Sequence, residues 1–340
     1  MRVDDGLVAL VKLIIQIPCY NEAESLPATL ADLPREVEGV DEVEWLVIDD
    51  GSSDDTAAVA ALEGVDHVVK LPRNMGLARA FSAGLAACVE RGADFIVNTD
   101  ADNQYSAVDI PKLVAPLLRG EADIVIGARP IGTIEHFSPV KKALQKFGSQ
   151  VARSLSRTEV ADAPSGFRGF TRESAQRLNV FSSYTYTLET IIQAGQNDMV
   201  VLSVPVGVNG KQRPSRLVKS IFSYVKRSMV TMVRIFMIYR PVTFFFTIGA
   251  VVGGAGLIGG LRFLYFFAIG QGNGHVQSVV LSAVLVGSGL SMWVLGLLAD
   301  LISVNRRLLE KANWRIARLE DRLAARDAAA AAEVAKSEDS

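Results

Sequence analysis

The stretch Phe95-Ile-Val-Asn-Thr-Asp-Ala-Asp-Asn-Gln104 runs from an apolar strand-like segment into two carboxylates, Asp100 and Asp102, which are separated by one residue. In an extended segment, side chains at i and i+2 point the same way and lie about 6–7 Å apart. Carboxylates this close repel each other unless a cation lies between them, and such oxygen ligands suit Mg²⁺ or Mn²⁺. The alternative is a polar turn in which Asp100 or Asn103 caps the next helix.

On both sides of this stretch, short apolar runs alternate with helical patterns over residues 1–210. The candidate strands are Leu13–Pro18, Trp45–Asp49, His67–Leu71, Asp94–Asn98 and Asp123–Gly127. The candidate helices are Glu24–Leu33, Asp54–Leu62, Gly76–Arg91, Ile110–Arg119 and Lys141–Ser156. Strands that alternate with helices of this length predict an α/β fold in which a mainly parallel sheet carries helices on both faces.

Polar clusters follow the predicted strands. They are Pro18–Glu22, Asp49–Ser52, Arg73–Gly76 and Asp100–Asp102. Because ligands of such sheets bind beyond the carboxyl ends of the strands, we expect these clusters to form one site. No GxGxxG sequence follows the first strand, which argues against a dinucleotide site of the Rossmann type.

Several of these blocks, taken together, resemble the ordered motifs of family 2 glycosyltransferases. They are Ile17-Pro-Cys-Tyr-Asn-Glu22, Val47-Ile-Asp-Asp-Gly-Ser-Ser-Asp54, Arg73-Asn-Met-Gly76 and Asp100-Ala-Asp-Asn-Gln104. A further block, Asp162-Ala-Pro-Ser-Gly-Phe-Arg168, is similar to the polyprenyl-phosphate sugar transferases, the relatives of dolichyl-phosphate mannose synthase. The resemblance covers about residues 12–305, and it departs at Asn103, where an apolar residue is common.

The resemblance implies a GT-A-type fold and a donor site for a nucleotide-diphosphate sugar. The residues that it assigns to the nucleotide are Pro18, Tyr20, Glu22, Asp49, Asp50 and Asp100. Those that it assigns to an Mg²⁺ or Mn²⁺ ion on the diphosphate are Asp100, Asp102 and Gln104, with Asp102 also counted as catalytic. For Glu22 and Asp50, the alternative is helix capping or turn formation.

The acceptor is expected to be a polyprenyl monophosphate, and its phosphate needs cations. The candidates are Arg129, Lys142, Ser165 and Arg168, and both arginines are also counted as catalytic. The alternative for Arg129 and Lys142 is a solvated face. Glu189 occupies the place of a general base, but a phosphate monoester is already largely ionised at neutral pH and needs none. We therefore expect Glu189 to orient the donor or to close a structural hydrogen bond.

Charge is unevenly distributed along the chain. From Met199 to Ala299 there is no Asp or Glu, whereas basic residues crowd Lys211–Arg240. This pattern predicts an anionic partner, and the apolar runs that follow favour lipid over nucleic acid. The two cysteines, Cys19 and Cys88, lie in apolar runs and are expected to be buried rather than bonded to each other.

Two apolar runs, Val242–Ile269 and Val279–Ala299, exceed the roughly 20 residues that a membrane-spanning helix needs. The loop between them, Gly270–Ser278, carries no Lys or Arg, whereas basic residues flank the pair. The positive-inside rule then places the catalytic domain and both termini in the cytoplasm. The alternative is a buried helical hairpin in a soluble protein. Arg262, inside the first run, is interpreted as a membrane anchor, and the alternative is a functional charge within the membrane.

The sequence therefore predicts four segments. They are a cytoplasmic catalytic domain (1–212), basic amphipathic helices at the membrane interface (213–241), two transmembrane helices (242–302) and a helical cytoplasmic tail (303–340) with a disordered end from Ala328. Heptad spacing from Leu309 to Leu323 makes the tail a candidate coiled coil for homo-oligomerisation. One rival function is a processive or hydroxyl-glycosylating synthase, against which the absence of a QxxRW sequence argues. The other is a non-catalytic nucleotide- or lipid-binding scaffold.

Overall fold

The structure is a computed structural model. It describes residues 10–130, 160–180, 186–209, 236–271 and 276–338, together with positions 150, 158, 230, 233 and 234. The chain divides into two compact units, Met1–Ile221 and Phe222–Ser340. The predicted helix Lys141–Ser156 and most of the predicted interface segment 213–241 lie outside the described residues.

The first unit contains a seven-stranded sheet in the order β3-β2-β1-β4-β6-β5-β7. Its strands are β1 (Lys12–Cys19), β2 (Glu42–Asp49), β3 (His67–Lys70), β4 (Phe95–Asn98), β5 (Ile124–Ala128), β6 (Arg168–Thr171) and β7 (Val201–Pro205). All neighbouring strands are parallel except where β6 pairs with β4 and β5. The predicted mainly parallel sheet is confirmed.

Helices connect these strands. They are α1 (Leu26–Asp32), α2 (Thr56–Leu62), α3 (Leu77–Glu90), α4 (Ile110–Leu118), α5 (Arg172–Arg177) and α6 (Thr187–Gln196). A short 3-10 turn, Ala107–Asp109, precedes α4. The four predicted helices that fall on described residues before Gly120 are all present, with ends that differ by at most two residues.

Alternate residues of β1 enter two different hydrophobic cores, as the twofold repeat of a strand requires. Ile15 belongs to one core, which also contains Leu30 of α1 and Leu113 of α4. Ile14 belongs to the other, which contains Phe81 of α3. Helices therefore cover both faces of the sheet, as predicted.

Strand β6 was not predicted from the sequence. It lies antiparallel between β4 and β5, so that Arg168 pairs with Asn98 in the sheet register. This pairing brings the end of the block Asp162–Arg168 beside the end of β4, two residues before Asp100. A sequence motif far along the chain thus joins the strand end that carries the paired carboxylates.

The second unit contains two long helices, α7 (Pro241–Ala268) and α8 (Val276–Glu338). By length and composition, Pro241–Ala268 and Val276–Ile316 could each cross a membrane. Only 11% and 17% of their most apolar windows are buried, which does not fit the core hairpin of a soluble protein. Helix α8 continues through the alanine-rich stretch where we expected disorder, and alanine is the best helix former.

Close contact between these two helices depends on glycine. A Cβ atom at Gly249 would lie 2.7 Å from the carbonyl oxygen of Gly289, and one at Gly256 would lie 2.8 Å from the carbonyl oxygen of Ser282. The Nε1 atom of Trp293 donates to the carbonyl of Phe246 at 3.2 Å. The helices therefore pack backbone to backbone, which is the way in which membrane helices associate where small residues line the contact.

Candidate active site

The loops that follow β1 and β2 are joined by hydrogen bonds. The backbone N–H of Asn21 donates to Ser52 Oγ at 2.9 Å, and the N–H of Ser53 donates to Asn21 Oδ1 at 2.8 Å. Asn21 has a φ of 54°, in the left-handed region that asparagine tolerates better than most residues. Two of the polar clusters predicted to converge therefore meet at one edge of the sheet.

The nucleotide candidates of the first loop differ in exposure. Tyr20 is 43% exposed, whereas Pro18 is buried at the end of β1. Glu22 is half-buried and accepts from Ser25 Oγ at 2.5 Å. Its backbone N–H donates to Thr56 Oγ1 at 2.8 Å. Of the three candidates, Tyr20 offers the side-chain surface that a ligand could contact.

Asp49 and Asp50, at the end of β2, are both buried but make different contacts. Asp50 accepts from the N–H groups of Met75 and Gly76, at 2.7 and 2.9 Å, one with each carboxylate oxygen. Asp49 Oδ1 accepts from the N–H of Ser52 at 2.9 Å. Asp50 thus fixes the Arg73–Gly76 loop, a role that the sequence-based assignment to the nucleotide did not include.

Gly51 allows that loop to approach. It has a φ of +67°, and a Cβ atom there would lie 2.7 Å from the backbone nitrogen of Asn74. Any other residue at this position would be strained in its backbone and would also push the loop away. The third polar cluster is therefore held against the second by Asp50 and Gly51 together.

The turn that carries the paired carboxylates is braced on several sides. Thr29 Oγ1 donates to the carbonyl of Ala101 at 2.9 Å, and the N–H of Gln104 donates to Asp102 Oδ1 at 3.3 Å. Asn103 has a φ of 50° and donates to Asp32 Oδ2 at 2.7 Å. The left-handed backbone explains why asparagine suits this position. Gln104 also accepts from the N–H of Asn209 through its backbone carbonyl at 2.9 Å, and its side chain is half-buried.

Electrostatics at this turn favour a cation. Burial, and then the neighbouring carboxylate of Asp102, raise the pKa of Asp100 to about 7, while Arg129 acts in the opposite direction. Among the described residues no group of three or more acidic, histidine or cysteine side chains could hold a metal. Two carboxylates without further protein ligands fit Mg²⁺ or Mn²⁺, which bind to one or two carboxylates and complete their shell with water and substrate phosphates.

The segment Ala163–Phe167, which we term the partition loop, lies directly against Asp100. A Cβ atom on Gly166 would lie 3.1 and 3.2 Å from the two carboxylate oxygens of Asp100 and 3.0 Å from the hydroxyl of Tyr186. The N–H of Gly166 donates to Tyr105 Oη at 3.0 Å, and its carbonyl accepts from Asn98 Nδ2 at 2.8 Å. Glycine is thus the residue that fits between these groups.

Arg129, at the end of β5, reaches the same region. Its Nε and Nη2 atoms donate to Asp162 at 2.7 and 3.1 Å, and its side chain is 13% exposed. The guanidinium carbon lies 5.8 Å from the centroid of the Tyr105 ring. Burial lowers the pKa of Arg129, but its acidic neighbours, including Asp162 and Asp100, raise it overall. Arg129 therefore stays cationic and interacts electrostatically with Asp100.

The structure corrects the assignment of Arg168 to the acceptor phosphate. It is fully buried, and its guanidinium donates to the carbonyls of Ser165, Ala163 and Thr187 and to the hydroxyl of Thr190, at 2.6–2.9 Å. Burial lowers its pKa to about 10. A side chain enclosed in this way cannot touch an acceptor phosphate or act as a catalytic residue.

The other acceptor candidates have different outcomes. Ser165 is fully buried as well, and its hydroxyl accepts from the N–H of Phe167 at 3.3 Å. Lys142 lies outside the described residues. Of the three acceptor candidates that the structure describes, Arg129 is the one whose side chain is partly accessible, and it interacts electrostatically with Asp100.

Sequence reasoning missed the aromatic and amide groups behind the site. Asn98 Nδ2 lies 3.0 Å from Tyr186 Oη, and Gln16 Nε2 donates to Asn98 Oδ1 at 2.9 Å. Tyr186 stacks on Phe81 with ring centroids 3.8 Å apart. Polar residues inside the predicted strands, Gln16 and Asn98, were a usable signal because buried amides need partners. Nothing local marks Tyr186, since its partners are distant in sequence.

Comparisons with known proteins agree with this geometry. The model of the family described as Glycosyl transferase family 2 matches residues 14–178. The polyprenol monophosphomannose synthase of Mycolicibacterium smegmatis is 30% identical over 206 residues, which cover 57% of this chain and 76% of that protein. The undecaprenyl-phosphate mannosyltransferase of Micrococcus luteus is 28% identical over 206 residues, which cover 58% of this chain and 83% of that protein.

A solved structure shows the same fold. The glucosyl-3-phosphoglycerate synthase of Mycobacterium tuberculosis, in complex with phosphoglyceric acid, superposes with a TM-score of 0.51 at 22% identity. The match covers 65% of this chain and 80% of that one. The likeness confirms the expected GT-A-type architecture of the first unit.

Proposed function

Because this chain belongs to glycosyl transferase family 2, we propose that it transfers a single sugar from a nucleotide-diphosphate sugar to a polyprenyl monophosphate, with inversion, at the cytoplasmic face of a membrane. The chain is a glycosyltransferase. Two similar proteins carry names that specify mannosyl transfer to polyprenol phosphates, and they support a lipid phosphate as acceptor here.

The observation that carries the proposal is that groups of opposite charge are both linked to the segment Asp162–Gly166. Gly166 lies against the carboxylate of Asp100, and the guanidinium of Arg129 is paired with Asp162. A transfer between two phosphorylated partners brings two anions together. One can be bound through a cation held by carboxylates and the other directly by a guanidinium. The site offers one arrangement of each kind.

The residues then have distinct roles. Asp100 and Asp102, with Gln104 as a further candidate, would hold Mg²⁺ or Mn²⁺. Such an ion supplies charge neutralisation on the departing nucleoside diphosphate. Tyr20 offers an exposed surface for the nucleotide, and Asp49 a buried carboxylate beside it.

In the reaction, a phosphate oxygen of the acceptor attacks the anomeric carbon as the bond from that carbon to the donor diphosphate breaks. The bonding electrons leave with the nucleoside diphosphate. Arg129 orients the attacking phosphate. No side chain has to accept a proton, because the second pKa of a phosphate monoester is about 6. A direct attack of this kind inverts the anomeric configuration.

The second unit supports a membrane location. Helices α7 and α8 expose apolar side chains along their candidate spans, as membrane-embedded helices do. The charge pattern then favours a cytoplasmic catalytic domain and cytoplasmic termini, and the heptads of the tail favour a homo-oligomer.

The test uses the full chain in lipid nanodiscs with a panel of nucleotide sugars. Each sugar is offered with a polyprenyl monophosphate and, separately, with a soluble hydroxyl acceptor. We expect nucleoside diphosphate release that depends on the lipid, together with an acid-labile glycosyl phosphate whose anomeric configuration is inverted by NMR. Transfer to the hydroxyl acceptor alone would support a synthase, and binding without release would support a scaffold.

A further inference from the structure

Arg168 is a buried charge whose hydrogen bonds, within the described part of the chain, all go to uncharged oxygens. It donates to backbone carbonyls and to one hydroxyl: Nε to Ser165, Nη2 to Ala163, and Nη1 to Thr187 and to Thr190 Oγ1. Burying a guanidinium costs free energy unless its donors are satisfied, and here four hydrogen bonds satisfy it. An apolar side chain would fill the space without joining these groups.

The groups that Arg168 joins belong to two elements. Ala163 and Ser165 are in the partition loop, and Thr187 and Thr190 are in the first turn of α6. Other bonds hold the end of the loop: Gly166 bonds to Tyr105 and Asn98, and the carbonyl of Phe167 accepts from the N–H of Gly127 at 2.9 Å. The bonds of Arg168 reach further back, to the carbonyls of Ala163 and Ser165. Arg168 thus ties the partition loop to a helix that belongs to the core.

The start of the partition loop is tied to the other charged group. Asp162, which directly precedes it, is 1% exposed and accepts three hydrogen bonds from Arg129, two from the guanidinium and one from the backbone N–H. Within the loop, Gly166 lies so close to the carboxylate of Asp100 that no free space separates them. Asp162, just before the partition loop, therefore binds the guanidinium of Arg129, and Gly166 within the loop lies against the carboxylate of Asp100. Arg168 directly follows the loop.

We propose that Arg168 is a positioning residue, which holds the partition loop so that Asp100 and Arg129 keep a fixed separation across the donor and acceptor sides of the site. This inference rests on the proposed function for the identity of the two sides. The loop is a rigid spacer: displacement of Gly166 would press on the Asp100 carboxylate and, through Asp162, turn the Arg129 guanidinium. Arg168 acts on both partners without contacting either substrate.

Lysine cannot replace arginine in this role. The four bonds of Arg168 diverge from a planar group, whereas an ammonium is a compact charge that cannot span the same acceptors. Arg168→Lys therefore keeps the charge but loosens the loop. Arg172→Lys is the matched control: Arg172 Nη1 also donates to backbone carbonyls, of Val89 and Ala93 at 2.8 and 3.3 Å, but near the start of β4, at the opposite end from Asp100.

The experiment compares wild type, Arg168→Lys and Arg172→Lys as full chains in nanodiscs. Three quantities are measured: the melting temperature, the affinity for Mn²⁺ alone by EPR, and the KM for polyprenyl phosphate. We expect both variants to have a lower melting temperature than wild type. In Arg168→Lys we expect Mn²⁺ affinity to fall about tenfold, as is usual when support of a metal ligand is lost, and the lipid KM to rise. In Arg172→Lys, the Mn²⁺ affinity and the lipid KM should match those of wild type.

A purely structural role would give the opposite result: Arg168→Lys would melt earlier but keep the Mn²⁺ affinity and lipid KM of wild type, and the proposal would be overturned. If Arg168→Lys does not fold, Thr190→Val removes one acceptor of Arg168 and should shift both quantities in the same direction by a smaller factor. Failure of the proposed function is a separate outcome, in which wild type transfers sugar to no lipid phosphate. The Mn²⁺ comparison then still decides the positioning role at Asp100.

Discussion

The carboxylate of Asp162 binds the guanidinium of Arg129 at two points, with Nε–Oδ2 and Nη2–Oδ1 distances of 2.7 and 3.1 Å. Both side chains are largely buried, so the pair cannot rotate freely in solvent. A fork of this kind fixes the plane of the guanidinium as well as its position. The direction in which Arg129 can meet an acceptor phosphate is therefore set by Asp162.

Asp162→Asn should reduce both stability and lipid use. The amide keeps the shape of the carboxylate, but its NH₂ group would face the N–H donors of Arg129. Breaking a buried ion pair by changing one partner costs about 3–5 kcal/mol. Urea denaturation should show the loss, and the KM for polyprenyl phosphate should rise while the donor KM is unchanged. The matched control is Glu121→Gln, since Glu121 makes a similar two-point pair with Arg119 on the exposed surface, where solvent screens the charges and little change in stability is expected. An unaltered lipid KM in Asp162→Asn would contradict the role of the pair.

Asp102→Asn should abolish divalent-metal-dependent transfer in a protein that still folds and inserts. The side chain is half-buried in a turn whose bracing bonds include Thr29 to Ala101 and Asn103 to Asp32, and these bonds persist in the variant. Initial rates are measured across Mg²⁺ and Mn²⁺ concentrations and in EDTA. Retention of full activity by the variant in EDTA would rule out the metal assignment.

The pH dependence of stability should report on Asp100. Its pKa is raised from 3.8 to about 7 in the fold, so the metal-free folded state binds a proton that the unfolded chain has released across that interval. Stability should therefore fall as pH rises from about 4 to about 7 and then level off. Melting temperatures in EDTA should show this slope for wild type. Asp100→Asn, which does not titrate, should lack that part of the slope, and equal slopes would contradict the shifted pKa.

Sequence patterns predicted the framework of the first unit because each of its strands β1–β5 has a local signature. Apolar runs such as Leu13–Pro18 end in polar clusters, and parallel strands bring those ends to one edge. The family resemblance then assigned Asp100 and Asp102 to a metal site at the end of β4. These are properties of short segments, and they can be recognised without knowing how the segments pack together.

The roles of Asp50 and Arg168 could not be predicted in the same way. Both are charged residues in polar motifs, which suggested ligand contacts. Whether such a residue faces a ligand or the protein depends on what the fold packs against it: the N–H groups of Met75 and Gly76 for Asp50, and α6 for Arg168. Strand β6 escaped prediction for a related reason, since Arg168–Thr171 is four residues long and has no alternating pattern.

Membrane topology should follow the charge pattern. Cys19 and Cys88 are both buried, so a single introduced cysteine will dominate labelling by an impermeant thiol reagent. Gln271→Cys, between the two helices, should label from outside intact cells, whereas Glu63→Cys, at the end of α2, should label after permeabilisation alone. Labelling of both positions from the same side would refute the model with two spans.

Glu189→Gln tests how the acceptor is activated. Glu189 is buried in the first turn of α6, close in sequence to Thr187 and Thr190, which bind Arg168. This position supports a structural role. If the attacking group is a phosphate oxygen, the acidic limb of the rate profile reflects the second ionisation of the phosphate, near pH 6, and should persist in the variant.

A true general base would behave differently, because its removal lowers the rate by about 10²–10⁴-fold and deletes the acidic limb. Initial rates are therefore measured against pH at saturating and limiting lipid for wild type and Glu189→Gln, with Glu173→Gln as a control at an exposed helical glutamate near the start of α5. We expect the acidic limb in all three proteins. Loss of that limb in Glu189→Gln alone would mean that a proton must be removed from the acceptor. The acceptor would then be a hydroxyl group rather than a phosphate.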